Sequence, residues 1–220
     1  ANGVTTIVMG NCGVGFAPAP PDAVPQLIDL MEGVEDIPGT ALYEGMPWGE
    51  WESFPEYLDF LGRRQWTLDV AAQLAHGALR FYVMGDRAVR SKDCTADDLE
   101  QMSRLVTEAV AAGAAGFSTS RIRGHRAMSG YAVPGTFAPE EELAAIAAAM
   151  RAGGGAVFQA ITASAVGEYM TSKREQATFA EEVRMLGRMS RATDLPFVFS
   201  TFQPDQPADS WRQVLDIAAA

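Results

Sequence analysis

Short apolar runs of strand length alternate with stretches of helical periodicity from one end of the chain to the other, and that order limits the fold more than any single motif does. Residues 4–9, 67–74, 78–84, 116–120, 156–161 and 197–202 are predicted as strands; 67–74 and 78–84 read as one strand or two, with Ala75-His76-Gly77 as the turn. The first of them, rich in β-branched residues, has the pattern of a strand covered on both faces.

Helices fill the gaps. Leu27, Ile28, Leu30 and Met31 outline a short one ended by Gly33, and Phe54, Tyr57, Leu58 and Leu61 another. Thr95 is placed to cap a helix that buries Met102, Val106 and Val110 and stops at Gly113. Pro139, at the first helical position, opens one that buries Leu143, Ile146 and Met150 and stops at Gly153. Phe179, Val183 and Leu186 mark the next, and Trp211, Val214 and Leu215 the last. Residues 36–49 have loop composition.

An alternating order with right-handed crossovers requires a parallel sheet covered by helices. Five or six strands are too few to close a (β/α)₈ barrel, which takes eight. The fold class is therefore α/β, either as an open sheet or as an incomplete (β/α)₈ TIM-type barrel without its first and last strands. The chain starts almost inside a strand and stops at Ile217-Ala218-Ala219-Ala220 as if in mid-helix, so residues 1–220 are expected to be a single barrel fragment of a longer protein.

Composition excludes several partners. Asp and Glu number 28 against 17 Lys and Arg, a formal charge of -11, which repels nucleic acid and anionic membranes. No apolar run approaches the ~18 residues of a membrane span. Cys12 and Cys94 are too few for a disulfide framework and are expected as free thiols in a reducing, cytoplasmic setting.

Chemistry concentrates where the first strand meets Gly10-Asn11-Cys12-Gly13-Val14-Gly15. Glycines there permit a sharp turn, and the carboxyl end of a strand is where α/β folds bind ligands. Cys12 is either a thiolate ligand for zinc or an inert buried cysteine, since no CxxC, HxH or HExxH accompanies it. The same turn lacks the lysine of a phosphate loop. His76 follows a strand, so it either faces that rim or is a hydrogen-bonded structural group. Arg121, Arg123, His125 and Arg126 form the one basic cluster, suited to a substrate carboxylate or to solvent. Ser118, Thr119 and Ser120 offer hydroxyls without a GxSxG elbow, which argues against a nucleophilic serine. Trp48, Trp51 and Phe54 line an apolar pocket or pack their loop onto the domain.

Residues 3–18, with Leu30 to Pro38, Trp48 to Tyr57, His76-Gly77-Ala78-Leu79-Arg80, Gly116 to Ser120 and Val133 to Ala138, closely resemble the N-acyl-D-amino-acid deacylases of the amidohydrolase superfamily. The resemblance implies a (β/α)₈ barrel in which the cysteine of the turn, here Cys12, is a zinc ligand and zinc-bound water attacks a small-molecule amide. Asn11, Gly13, His76, Ser118, Ser120 and Arg121 are the candidate substrate-contacting residues beside it. It further implies an HxH pair before Ala1 and a catalytic aspartate beyond Ala220. Where the family carries histidines on two later strands, this sequence has Phe158-Gln159-Ala160 and Phe199-Ser200-Thr201-Phe202, with Gln159 and Thr201 near the expected positions. The expected function is hydrolysis of a non-peptide C–N bond by the parent protein, the 220-residue chain itself being inactive. A non-catalytic module that binds a small acidic molecule or scaffolds an oligomer is the alternative. Exposed strand edges lead to an expectation of homo-oligomers.

Overall fold

Every strand in the computed structural model runs parallel to its neighbours, and chain order equals spatial order. The structure describes residues 2–163, 173–200 and 210–219. Among the described residues the strands are β1 (Thr6–Met9), β2 (Asp69–Ala75), β3 (Gly116–Ser120), β4 (Val157–Ile161) and β5 (Phe197–Phe199). Between β1 and β2 come α1 (Val24–Glu35), α2 (Gly39–Gly45) and α3 (Phe54–Gly62). Next are α4 (His76–Met84), α5 (Arg87–Arg90) and α6 (Ala96–Ala111) before β3, then α7 (Glu140–Ala152), α8 (Lys173–Thr193) and α9 (Ser210–Ala219) after β3, β4 and β5. An open doubly wound sheet reverses its strand order at a switch point. This one never reverses, and α4 packs on α6, α6 on α7, α7 on α8 and α8 on α9. The architecture is that of an incomplete (β/α)₈ barrel.

Register explains which face is which. Leu74 pairs with Phe117, Phe117 with Phe158 and Phe158 with Phe197, so one apolar row crosses four strands on the helix-facing side. Phe117 and Phe158 are fully buried, and the Phe158 and Phe197 rings stack 4.5 Å apart. Burying each such ring stabilises the fold by roughly 2–3 kcal/mol. Because strand side chains alternate, the neighbours Gln73, Ser118 and Gln159 share the opposite face, and that face is polar.

Local signals hold where they were strongest. Thr95 and Asp98 form a reciprocal capping box on α6, and Gly113 adopts φ +109 just past its end. Five expectations are corrected. Residues 78–84 are helix, not strand: α4 buries His76, Ala78, Leu79, Arg80, Phe81 and Met84, so no polar face gave it a helical period. β1 is not covered on both faces; among the described residues it pairs with β2 alone, and Val8 is 47% exposed. Gly33 does not end α1 but admits the backbone of Arg126 and Ala127 against it, and residues 36–49 contain α2. Pro139 is the N-cap of α7 rather than its first helical residue. The last strand ends at Phe199, and residues 201 and 202 of its expected span lie outside the described residues.

Candidate functional site

At the end of β1 the chain turns through Gly10 (φ +91) into a single 3₁₀ turn, Asn11–Gly13, with Cys12 itself in the left-handed region at φ 60. Left-handed backbone is cheap for glycine and uncommon for cysteine, so tertiary contacts must hold it. They come from the polar face of the sheet. Gln73 Nε2 donates to Asn11 Oδ1 at 3.0 Å, the Gly13 amide donates to Ser118 Oγ at 3.2 Å, and the Ser118 hydroxyl donates to the Gly10 carbonyl. Cys12 thus sits over the carboxyl ends of the strands, half-buried and reduced. Burial, reinforced by the negative charge of Glu35, pushes its thiol pKa up, so it is protonated at neutral pH. Beside the turn lies a cavity of about 310 Å³ lined by Gly10, Asn11, Phe16, Glu35, Tyr57 and Gln73.

His76 faces away from that rim. It is completely buried, its Nε2 lies 2.8 Å from Glu142 Oε1 and its Nδ1 2.9 Å from Thr119 Oγ1. Arg80, also fully buried, donates from Nη1 to both Glu142 oxygens at 3.1 and 3.2 Å and from Nη2 to the Ser91 and Lys92 carbonyls. Burial lowers the His76 pKa despite the Glu142 carboxylate, so the ring is neutral. Burial alone would raise the Glu142 pKa; hydrogen bonding from His76 and the Arg80 charge outweigh it, so the net shift is downward. A neutral ring beside a carboxylate must donate from Nε2 and accept the Thr119 hydroxyl at Nδ1. Both ring nitrogens of His76 are taken, so it offers no free polar atom for substrate; Arg80 Nε is the network atom left without a partner among the described residues.

The basic cluster dissolves in the same way. Arg121 is paired with Glu182 at 2.7 Å and donates to the Ala138 carbonyl at 3.0 Å, so its charge is already neutralised. Arg126 donates to the Gly130 carbonyl. Ser120 is buried against His125, 3.4 Å away. Trp51 is buried, donates to the Phe16 carbonyl at 2.7 Å and packs on Trp48, Tyr57 and Phe60, which is the loop-anchoring role; an open cleft of about 1010 Å³ beyond it shares no residue with the turn.

The structure therefore gathers Cys12, Asn11, Gly13 and Ser118 at one place and directs His76 and Arg121 elsewhere. Sequence reasoning missed Gln73, whose signal was a lone amide inside an apolar strand run. Gln73 Oε1 and Gln159 Oε1 are buried acceptors without a partner among the described residues, both on the polar face. A resident metal fits poorly: among the described residues no three of His, Cys, Asp and Glu cluster, and Cys12 stands as a single soft donor. Nor is any helix among them long and apolar enough to cross a membrane.

The fold and this rim define a (β/α)-barrel protein with its polar groups at the carboxyl ends of the strands. The chain belongs to the amidohydrolase family, whose model matches residues 1–217. It is 30% identical over 200 residues to a D-aminoacylase of Alcaligenes xylosoxydans xylosoxydans, covering 91% of this chain and 34% of that protein. An N-acyl-D-aspartate deacylase of the same organism is 27% identical over 72% of this chain and 27% of its own length. The chain thus spans about a third or less of these relatives. A D-aminoacylase structure with a binuclear metal centre superimposes with TM-score 0.64 at 26% identity, over 92% of this chain and 35% of that one. The N-acyl-D-glutamate deacylase of Bordetella bronchiseptica, complexed with zinc and a phosphonate mimic of the tetrahedral intermediate, gives 0.63 at 25% identity over 99% and 39%.

Proposed function

We propose that this chain is part of a hydrolase that cleaves the non-peptide C–N bond of N-acyl-D-amino acids, releasing a D-amino acid and a carboxylate. The observation that carries the reading is the Cys12 turn, held in a left-handed conformation over a polar strand-end face in a chain of the amidohydrolase family. In this reading residues 1–220 form one barrel fragment, Cys12 is one ligand of a metal, zinc as in the Bordetella relative, and the other ligands lie outside the described residues. Asn11, Gln73 and Ser118 orient the turn, and Asn11 and Gln73 line the cavity beside it, where a small substrate fits. Ser120 and Gly13 back the turn, whereas His76 and Arg121 have structural partners and drop out of the contact set. The protein is a cytoplasmic homo-oligomer in the same reading, its two free thiols and its exposed β1 edge being the supports.

The poor metal fit favours a second reading, a non-catalytic module that binds a small acidic molecule or scaffolds an oligomer. One experiment separates the two. Metal content and deacylation of N-acyl-D-amino acids are measured for the full-length parent and for its Cys12→Ala variant. Tightly held metal that falls with Cys12→Ala, together with turnover, supports the hydrolase; absence of both supports the module. The 220-residue chain alone is expected to show no turnover.

A further inference from the structure

Gly13 is caught between two surfaces. A Cβ added to it would stand 2.9 Å from the Ser120 amide nitrogen and 3.2 Å from Thr119 Cα, so its own Cα rests on the end of β3. From the other side, a Cβ added at Gly77 would stand 2.8 Å from the Gly13 carbonyl oxygen, so the first turn of α4 rests on Gly13. The two surfaces are joined by one side-chain hydrogen bond, from Thr119 Oγ1 on β3 to Nδ1 of His76, the residue before Gly77. Glu142 and Arg80 fix the far side of the imidazole, and Gly135 (φ +98) lies against its near face, where a Cβ would collide with the ring.

We infer that Thr119 and His76 close a clamp on Gly13, and that this clamp acts with the Gln73 and Ser118 hydrogen bonds to position Cys12. Thr119 and His76 are positioning residues in this scheme, acting through Gly13 on a thiol neither of them touches. Cys12 has an uncommon backbone conformation, its neighbour Gly13 is the contact through which two rigid elements can enforce it, and the hydroxyl-to-imidazole bond ties the first turn of α4 to the end of β3 just beyond the Ala75–Ser118 pair of the sheet. The role gains a catalytic meaning only if the hydrolase reading holds, but the clamp itself does not depend on metal or substrate.

The test reads the rate at which Cys12 is alkylated by iodoacetamide under native conditions, with Cys94 counted separately by peptide mass spectrometry as the internal reference. Thr119→Val removes the hydroxyl with little change of shape; Thr119→Ser keeps it. Thr119→Val should speed alkylation of Cys12 relative to Cys94 about fivefold, the factor a lost buried hydrogen bond sets, while Thr119→Ser stays within about twofold of the parent chain. An unchanged Cys12-to-Cys94 ratio in Thr119→Val, including the case in which both thiols speed up together as the fold loosens, overturns the clamp. If Thr119→Val does not fold, Gly77→Ala is read instead: its methyl presses on the Gly13 carbonyl, and the same rise in the ratio is expected, with no rise again overturning it. No metal or substrate enters the measurement, so a failed deacylation assay and a failed clamp are separate results.

Discussion

Glu142→Gln should destabilise the protein far more than the loss of a few hydrogen bonds suggests. The carboxylate is 1% exposed and accepts from His76 at 2.8 Å and from Arg80 at 3.1 and 3.2 Å. The amide conserves volume and one acceptor oxygen but turns an NH₂ group toward donors and removes the negative charge. Arg80, fully buried, keeps its positive charge with two backbone carbonyls and at most one neutral amide oxygen to accept from it among the described residues, and its Nε already lacks a partner there. Breaking a buried pair from one side costs about 3–5 kcal/mol, against about 1 kcal/mol for a neutral hydrogen bond. With a urea slope of about 3 kcal/mol per molar, the unfolding midpoint should fall by about 1 M or more at pH 7. Urea titration followed by circular dichroism measures this. Arg80→Met/Glu142→Gln should recover part of the loss, because the stranded cation is gone. A loss below about 1 kcal/mol in Glu142→Gln, or a double variant no better than the single, would refute the reasoning.

Acid should weaken the fold in two stages. His76 and Glu142 both have folded-state pKa values lowered from their ordinary 6.5 and 4.5, so the unfolded chain binds more protons on the acid side, and the stability they contribute is present above those values and lost below them. The urea midpoint should therefore begin to fall below about pH 6.5, with half-buried His125 adding in the same sense, and fall further below about 4.5; His76→Asn should flatten the first stage. Thr95→Ala removes one arm of the α6 capping box and should cost about 1 kcal/mol, which thermal denaturation at pH 7 will detect, whereas Thr95→Ser should be nearly neutral. Phe158→Ala empties the centre of the aromatic row and should cost about 3–5 kcal/mol in urea unfolding, with Phe158→Leu losing much less.

Much of the architecture was legible because it is encoded within a few residues. Thr95 with Asp98 starts a helix, Gly113 and Gly153 follow helix ends, and alternation of apolar runs with amphipathic stretches leads to a parallel sheet. The Cys12 turn was legible for the same reason, as glycines on both sides of a polar dipeptide announce a left-handed bend. Period-based reading fails, however, where no face meets water. α4 is apolar around most of its circumference, so its residues carry neither a 3.6 nor a 2.0 repeat and pass for a strand. β1 errs the other way: its β-branched residues announce burial, but cover is a property of neighbouring elements, and among the described residues β2 is the single strand beside it.

Sequence by itself determined the alternation of strands and helices outside α2 and α4, the position of the turn and the family, since each depends on local backbone preference or on a contiguous motif. Tertiary structure alone decided what the charged and titratable side chains do. His76 meets Glu142 across 66 residues and Arg121 meets Glu182 across 61, and these partners turn two candidate substrate contacts into a buried and a half-buried support. The reason is electrostatic: a charge or imidazole removed from water must find a partner, and which partner is within reach depends on packing between distant segments.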